Sequence, residues 1–301
     1  MIELKRILCP VDFSECSRHA LRHAAAMAQW YESAITVLYV HPVVPVAAAA
    51  PGAPAFPPFV VTPADREKLL ASMRSFAVDE AGSAVSIDFE VVEGPVTPEI
   101  LDRARTLQSD LIVMGTHGRS GFERLMLGSV TEKVLRKASC PVLSVPPRAH
   151  DAPSPPRVKK ILCAVDFSEC SMNALRFAMS LAQEADAHLA VLHVLELPAD
   201  AHERLPHLSP GVREYIAAME DDHRQRLQTV VPDTVRAYCS VETMMVPGKP
   251  YREILRVAAE QQSDLIVIGV HGRGVADLLF FGSTTQHVVR RATCPVLTLR
   301  Q

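Results

Sequence analysis

The chain has 301 residues, about two domains of ordinary size. Hydrophobic residues make up 48% and charged residues 22%, a balance that fills a globular core and excludes a disordered, collagen-like or disulfide-stapled chain. Lys and Arg number 31 against 34 Asp and Glu, so the formal net charge of -3 provides no overall basic field that would hold nucleic acid.

The N-terminal segment MIELKRILC lacks the layout of a secretory signal and is typical of a first strand. Residues 42–64 form a long uncharged run, but the prolines within it would break a membrane-spanning helix. Without an export signal, the 7 cysteines are expected to be reduced thiols. We therefore expect a cytoplasmic protein with no membrane partner.

The first half of the chain alternates short apolar runs with stretches of helical periodicity. The apolar runs predict strands over residues 7–11, 34–40, 85–92, 111–114 and 142–145. Helices are predicted after Ser14, whose side chain can cap one, and over residues 63–81, 98–107 and 129–138. This alternation indicates an α/β fold of βαβ units, in which five strands form a parallel sheet with helices on both faces.

The second half repeats the first with an offset of 154 residues, the separation of Asp12 and Asp166. Residues 5–17 read KRILCPVDFSECS and residues 159–171 read KKILCAVDFSECS. A period of this length indicates a duplicated domain, and prolines are concentrated between the copies. We predict domain 1 over residues 1–147, a Pro-rich linker over residues 148–157 and domain 2 over residues 158–301.

Doubly wound parallel sheets bind ligands outside the carboxyl ends of their strands. In domain 1 the predicted strands end near Asp12, Val40, Gly94 and Gly115. Their counterparts in domain 2 are Asp166, Val194, Gly248 and Gly269. These positions form the first set of candidate site residues.

A glycine-rich element follows the fourth strand of each copy. Gly115 and Gly118 are followed by nine residues and then by Gly128-Ser129, which opens a helix. Gly269, Gly272 and Gly282-Ser283 repeat this spacing. The glycine amides and those of the helix's first turn are expected to be open donors for a polyphosphate, although a plain turn with a helix cap would use the same residues. The spacing is neither a P-loop nor a dinucleotide-binding fingerprint.

Each half resembles a universal stress protein domain, and the whole chain resembles the tandem members of that family. The Val-Asp strand end, the glycine element and the closing Cys-Pro-Val-Leu strand carry the resemblance. It implies an α/β sheet with strand order 3-2-1-4-5 and, in the ATP-binding branch, a nucleotide at the carboxyl edge of the sheet.

The resemblance also implies particular ligand contacts. The pocket for adenine and ribose would be lined by Pro10, Asp12 and Val40. The phosphates would be held by Met114, Gly115, His117, Gly118, Gly128, Ser129, Val130 and Thr131. The corresponding set in domain 2 is Ala164, Asp166, Val194, Ile268, Gly269, His271, Gly272, Gly282, Ser283, Thr284 and Thr285.

Several of these residues have more than one interpretation. Asp12 can accept hydrogen bonds from ribose hydroxyls or approach a phosphate-bound Mg²⁺ through water, but it can also cap the helix after Ser14. His117 and Arg119 could meet phosphate charge, while Arg119 could equally be a solvated loop residue. The sequence shows no nucleophile–base pair, so we expect no enzyme and at most slow ATP hydrolysis.

The first functional hypothesis is a stress-response regulatory or protective factor that binds ATP, or another adenine nucleotide, with or without Mg²⁺, in one or both domains. A slow nucleotide hydrolase using Asp12 and Asp166 and an interaction module with vestigial sites are the alternatives. The resemblance further implies that the two domains pair through their last strands at residues 142–143 and 296–297, and whole chains could form a homo-oligomer.

Three other features have competing interpretations. Cys16 and Cys170, in the first turn of a helix, are either small core residues or low-pKa redox sensors. His202, Glu203, His207 and His223 form either an exposed charged lid or a metal site. The apolar segment 42–64 is a partner surface, a lid or a packing element.

Overall fold

The computed structural model describes residues 3–42, 62–81, 85–118, 127–147, 156–196, 209–270 and 282–300, with the backbone alone for residues 78–81. The chain divides into two compact units, Glu3–His150 and Asp151–Gln301, which are called domain 1 and domain 2. Most of the predicted linker and residues 43–61 of the apolar segment lie outside the described residues.

Domain 1 alternates strands with helices along the chain. Its elements are β1 (Arg6–Pro10), α1 (Glu15–Tyr31), β2 (Ala34–Pro42), α2 (Pro63–Ala81), β3 (Ile87–Gly94), α3 (Val96–Thr106), β4 (Leu111–Gly115), α4 (Ser129–Lys137) and β5 (Val142–Val145).

Within its described residues, domain 2 has the same element order with one added short helix. Its elements are β6 (Lys160–Val165), α5 (Glu169–Ala185), β7 (His188–Leu195), α6 (Pro210–Thr229), α7 (Asp233–Arg236), β8 (Val241–Pro247), α8 (Pro250–Glu260), β9 (Leu265–Gly269), α9 (Ser283–Arg291) and β10 (Val296–Leu299).

In each domain the strands are parallel, and the first strand lies between the second and the fourth. Ile7 of β1 pairs with Ile35 of β2 on one side and with Leu111 of β4 on the other. The order is β3-β2-β1-β4-β5 in domain 1 and β8-β7-β6-β9-β10 in domain 2. The α/β fold class and the strand order 3-2-1-4-5 are therefore confirmed.

Burial explains why the central strands read as continuous apolar runs. Leu8 in β1 and Ile112 in β4 are fully buried, since helices cover both faces of a doubly wound sheet. In domain 1, α1 packs against α2 and α3 packs against α4. Within the described part of the chain, no helix is both long enough and apolar enough to cross a bilayer.

The helix boundaries follow local capping chemistry. Ser14 caps α1 as predicted, because its hydroxyl oxygen accepts a hydrogen bond from the Ser17 amide at 3.2 Å. Helix α3 begins at Val96 rather than at residue 98, and Pro95 is its N-cap residue. Pro98 is tolerated there because amides in the first turn have no intrahelical acceptor to lose.

Candidate functional site

The sequence-predicted site residues gather at the carboxyl edge of each sheet. Pro10 is the last residue of β1, Val40 lies near the end of β2, and Met114 and Gly115 close β4. Because parallel strands end at the same edge, these residues lie around the switch point between β1 and β4. The domain 2 counterparts Ala164, Val194, Ile268 and Gly269 have the same placement.

The turn after the first strand fixes one carboxylate in each domain. One oxygen of Asp12, Oδ1, accepts hydrogen bonds from the Ser14 amide at 3.0 Å and from the Ser14 hydroxyl at 2.5 Å. Asp166 makes the same two bonds to Ser168, at 3.0 Å and 2.5 Å. Each aspartate thus supports the serine at the start of the following helix, and the two hydrogen bonds also set the orientation of its carboxylate.

Two glycines of the element allow the chain to pass close to this turn. A Cβ at Gly118 would lie 2.7 Å from Oδ2 of Asp12, and a Cβ at Gly115 would lie 2.8 Å from the Cβ of Cys16. Both separations are shorter than non-bonded contact allows for these atoms. The absence of a side chain therefore lets the loop after β4 lie directly against Asp12 and the first turn of α1.

The third glycine differs from the sequence-based expectation. The amide of Gly128 donates to the Thr116 carbonyl oxygen at 2.8 Å, and the amide of Gly282 donates to the Val270 carbonyl oxygen at 3.0 Å. These two amides close a local turn, so the expectation that they are open to an anion is wrong. Here the local-turn alternative holds.

The threonines of the helix start are also engaged. The hydroxyl of Thr131 donates to the Gly115 carbonyl oxygen at 2.8 Å, and the hydroxyl of Thr285 donates to the Gly269 carbonyl oxygen at 2.8 Å. Phosphate oxygens only accept, so neither hydroxyl can donate to a phosphate while this bond persists. The two side chains tie each helix to the end of the preceding strand.

What the helix starts still offer is their first-turn amides. In α4 these belong to Ser129, Val130 and Thr131, and no side chain caps the helix at Gly128. In α9 they belong to Ser283, Thr284 and Thr285, again with no side-chain cap at Gly282. Such amides lack intrahelical acceptors and lie at the positive end of the helix dipole. They are suited to hold an anion.

His117 lies within the loop that follows β4. Its Nδ1 is 2.9 Å from the Thr116 hydroxyl oxygen. Arg119 in domain 1, and both His271 and Gly272 in domain 2, lie outside the described residues.

Domain 2 has a cavity of about 470 Å³ at the carboxyl edge of its sheet. Of the 11 residues predicted for this domain, the cavity is lined by Ala164, Asp166, Val194, Ile268, Gly269, Gly282, Ser283, Thr284 and Thr285. A volume between about 300 and 1,000 Å³ is typical of sites for small molecules and cofactors. All of the predicted domain 2 residues that the structure describes are thus brought together around one space.

Much of the wall of this cavity consists of residues that the sequence did not mark as site residues. Leu192, Leu195, Met219 and Ile254 supply apolar surface, and His193 also faces the space. They come from β7, α6 and α8. No local motif marks them, although the position of His193 next to Val194 at a strand end was a usable signal.

His223 corrects the expectation of an exposed charged lid. It is 9% exposed and lines the cavity, because α6 turns the face carrying His223 and Leu227 inward. His202, Glu203 and His207 lie outside the described residues. Among the residues that are described, no three His, Cys, Asp or Glu side chains are grouped so as to hold a metal ion.

The thiol at the start of α1 does not fit a redox sensor. Burial raises the pKa of Cys16, and the backbone N–H of His117 only opposes that rise. Burial also raises the pKa of Cys9 to about 12. The Cys170 thiol is buried and donates to the Leu299 carbonyl oxygen at 3.0 Å. These contacts favour the interpretation as small core residues.

The fold and the site residues together define a tandem α/β protein. Each domain is a doubly wound parallel sheet with its candidate site residues at the carboxyl edge. The model of the universal stress protein family matches residues 3–146 and again residues 157–300. The chain therefore belongs to the universal stress protein family.

Individual relatives agree with a tandem arrangement. A universal stress protein of Mycobacterium bovis is 27% identical over 316 residues, covering 98% of this chain and 94% of the relative. One from Methanocaldococcus jannaschii is 37% identical over 141 residues, covering 47% of this chain and 81% of the relative. The crystal structure of a universal stress protein from Archaeoglobus fulgidus covers 99% of this chain and 97% of its own at 21% identity, with a TM-score of 0.67.

Proposed function

We propose that the protein binds an adenine nucleotide, ATP with or without Mg²⁺, at the carboxyl edge of one or both domains. Through this binding it would act as a regulatory or protective stress-response factor in the cytoplasm. The observation that carries the proposal is the domain 2 cavity, since nine of the 11 residues that the family resemblance implies for this domain line one space there.

The chemistry of the cavity wall suits the two ends of a nucleotide. Leu192, Ile254 and Ile268 offer apolar surface to a base, and the first turn of α9 offers backbone amides to phosphates. Asp166, held by Ser168, lines the same cavity just after β6, the strand that lies between β7 and β9 in the sheet, and it can accept from ribose hydroxyls. The same residue types recur in domain 1.

The test uses charge at the helix starts. Ser129 and Ser283 are exposed first residues of α4 and α9, so a glutamate there stabilises the helix while repelling a phosphate. We expect the double variant Ser129→Glu with Ser283→Glu to bind ATP at least about tenfold more weakly in calorimetric titration, a change of roughly 1.4 kcal/mol or more.

The matched control is the double variant with glutamine at both positions, which has the same shape without the charge. We expect it to bind ATP much as the unmodified full-length chain does. Equal ATP affinity of the glutamate and glutamine variants would overturn the proposed site, as would the absence of any nucleotide binding by the unmodified chain.

A further inference from the structure

The second strand and the following helix carry different rings in the two domains. In domain 1, Phe13 packs against Tyr39 with ring centroids 5.2 Å apart and against Phe76 at 5.6 Å. In domain 2, Phe167 packs against His193 at 4.7 Å and against His223 at 5.8 Å. Two imidazoles therefore stand in the ring cluster of domain 2 where domain 1 has a phenol and a phenyl ring.

Hydrogen bonds order the protons of the histidine pair. His193 Nδ1 lies 2.8 Å from the Val165 carbonyl oxygen, which can only accept, so Nδ1 carries a proton. His193 Nε2 lies 3.2 Å from His223 Nδ1. With both rings neutral, His223 Nδ1 must therefore donate to His193 Nε2. Adding one proton at His223 Nε2 would leave both of these bonds in place.

The pair faces the same space as the proposed ligand. His193 is 4% exposed and His223 is 9% exposed, and both line the cavity. A positive charge held in so buried a position is costly unless a negative charge lies nearby. An anion in the cavity would supply that charge.

The other charged groups around the pair have opposite effects on its protonation. Asp166 at the end of β6 and Glu196 after β7 line the cavity and favour protonation. The Arg226 guanidinium, 4.5 Å above the Phe167 ring, opposes it, but it also lies 3.9 Å from an Asp222 carboxylate oxygen. The cavity residues from α8 and α9 are uncharged.

We propose that the His193–His223 pair makes the domain 2 cavity a proton-linked anion site, which takes up a proton from solvent when an anionic ligand binds. The proposal rests on the proposed function in one respect, that a nucleotide occupies this cavity. Domain 1 would bind without this proton because Tyr39 and Phe76 stand there in place of the two histidines. The two duplicated sites would then differ in the charge that they prefer in a ligand.

The experiment measures proton uptake in the full-length chain by titrating ATP at pH 6.5 in buffers of different ionisation enthalpy. The Ser129→Glu background weakens the domain 1 site, so that binding at low ATP concentration reports mainly on the domain 2 site. His223→Asn keeps a side-chain amide that can donate to His193 but cannot take a proton. ATP titrates in this range too, but its own contribution cancels in the comparison of variants.

We expect the His223→Asn variant to take up roughly half a proton less per ATP than its parent, which corresponds to a pKa change of about one unit on binding. When the pH is lowered from 8 to 6, the ATP affinity of the parent should accordingly rise by up to about tenfold more than the ATP affinity of the variant. A second variant, His193→Tyr, which introduces the domain 1 residue, should show the same loss.

The control His188→Asn changes a histidine at the opposite end of β7, next to Ser240, and should leave proton uptake unchanged. ATP binding with equal proton uptake in parent, His223→Asn and His193→Tyr would overturn the proton linkage alone. ATP binding that survives in the Ser283→Glu background but not in the Ser129→Glu background would place the ligand in domain 1. That result would also overturn the proton linkage. Absence of ATP binding in every variant would overturn both proposals.

Discussion

His23 is a buried histidine that the site does not use. It lies on α1 at 8% exposure, and burial, aided by the nearby His19 and Arg22, lowers its pKa to about 4. The position 154 residues later in α5 is Phe177, which is 3% exposed. The same helix site therefore holds a titratable ring in domain 1 and an apolar ring in domain 2.

His23 is expected to make domain 1 sensitive to acid. Its pKa is about 4 in the folded state and about 6.5 in an unfolded chain, so the unfolded state binds more protons between these values. Stability should fall as the pH drops from about 6.5 to 4, by on the order of 3 kcal/mol in total. Urea denaturation at pH 7 and pH 4.5 should show that His23→Phe removes most of this loss.

The reciprocal variant Phe177→His provides the matched test, because it should introduce a similar acid sensitivity into domain 2. If His23→Phe loses as much stability on acidification as the unmodified chain does, His23 is not the source.

At the scale of elements, one hydroxyl in each domain joins a helix start to a strand end. Thr131 in α4 bonds to the carbonyl of Gly115 in β4, and Thr285 in α9 bonds to that of Gly269 in β9. Both threonines are 3% exposed, so water cannot easily replace the bond. The first-turn amides of each helix are thereby held at a fixed position relative to the sheet.

Replacing Thr131 with valine should lower the free energy of unfolding of domain 1 by about 0.5–1.5 kcal/mol, because the carbonyl oxygen of the half-buried Gly115 loses this donor. Thr131→Ser keeps the hydroxyl and should recover most of that loss. Chemical denaturation of both variants, and of the same pair at Thr285, gives the comparison. Equal stability of the valine and serine variants would show that the hydrogen bond is not what matters.

At the scale of the whole molecule, the chain is one domain type used twice, with matching turns at Asp12 and Asp166 and unlike rings at Tyr39 and His193. Duplication followed by such differences allows two sites on one chain to respond differently. The predicted limits of the linker, 148–157, and the predicted pairing of the domains stay predictions.

Pairing of the domains has a direct test in solution. If they form one compact body, the radius of gyration from small-angle X-ray scattering should be close to about 19 Å, the value typical of a compact chain of this length. Two domains separated on an extended Pro-rich linker would give a clearly larger value, and that result would contradict the pairing.

Much of the fold could be predicted because its signals are local. The apolar runs of β1 and β4, the cap at Ser14 and the repeat offset are all visible in the printed sequence, and each corresponds to an observed element. The glycine positions were equally visible. Their effect was harder to predict, since the contact of Gly118 with Asp12 joins residues far apart in the chain.

The sequence by itself determined that the protein is a duplicated parallel α/β chain of a recognisable family, because strand and helix periodicity and the repeated motifs depend only on neighbouring residues. Only the tertiary structure decided which donors remain for a ligand: the Gly128 amide and the Thr131 hydroxyl are engaged within the protein, whereas first-turn amides of α4 have no intrahelical acceptor. It also brought His193 together with His223. Such hydrogen bonds depend on how distant segments pack, and no local pattern encodes that packing.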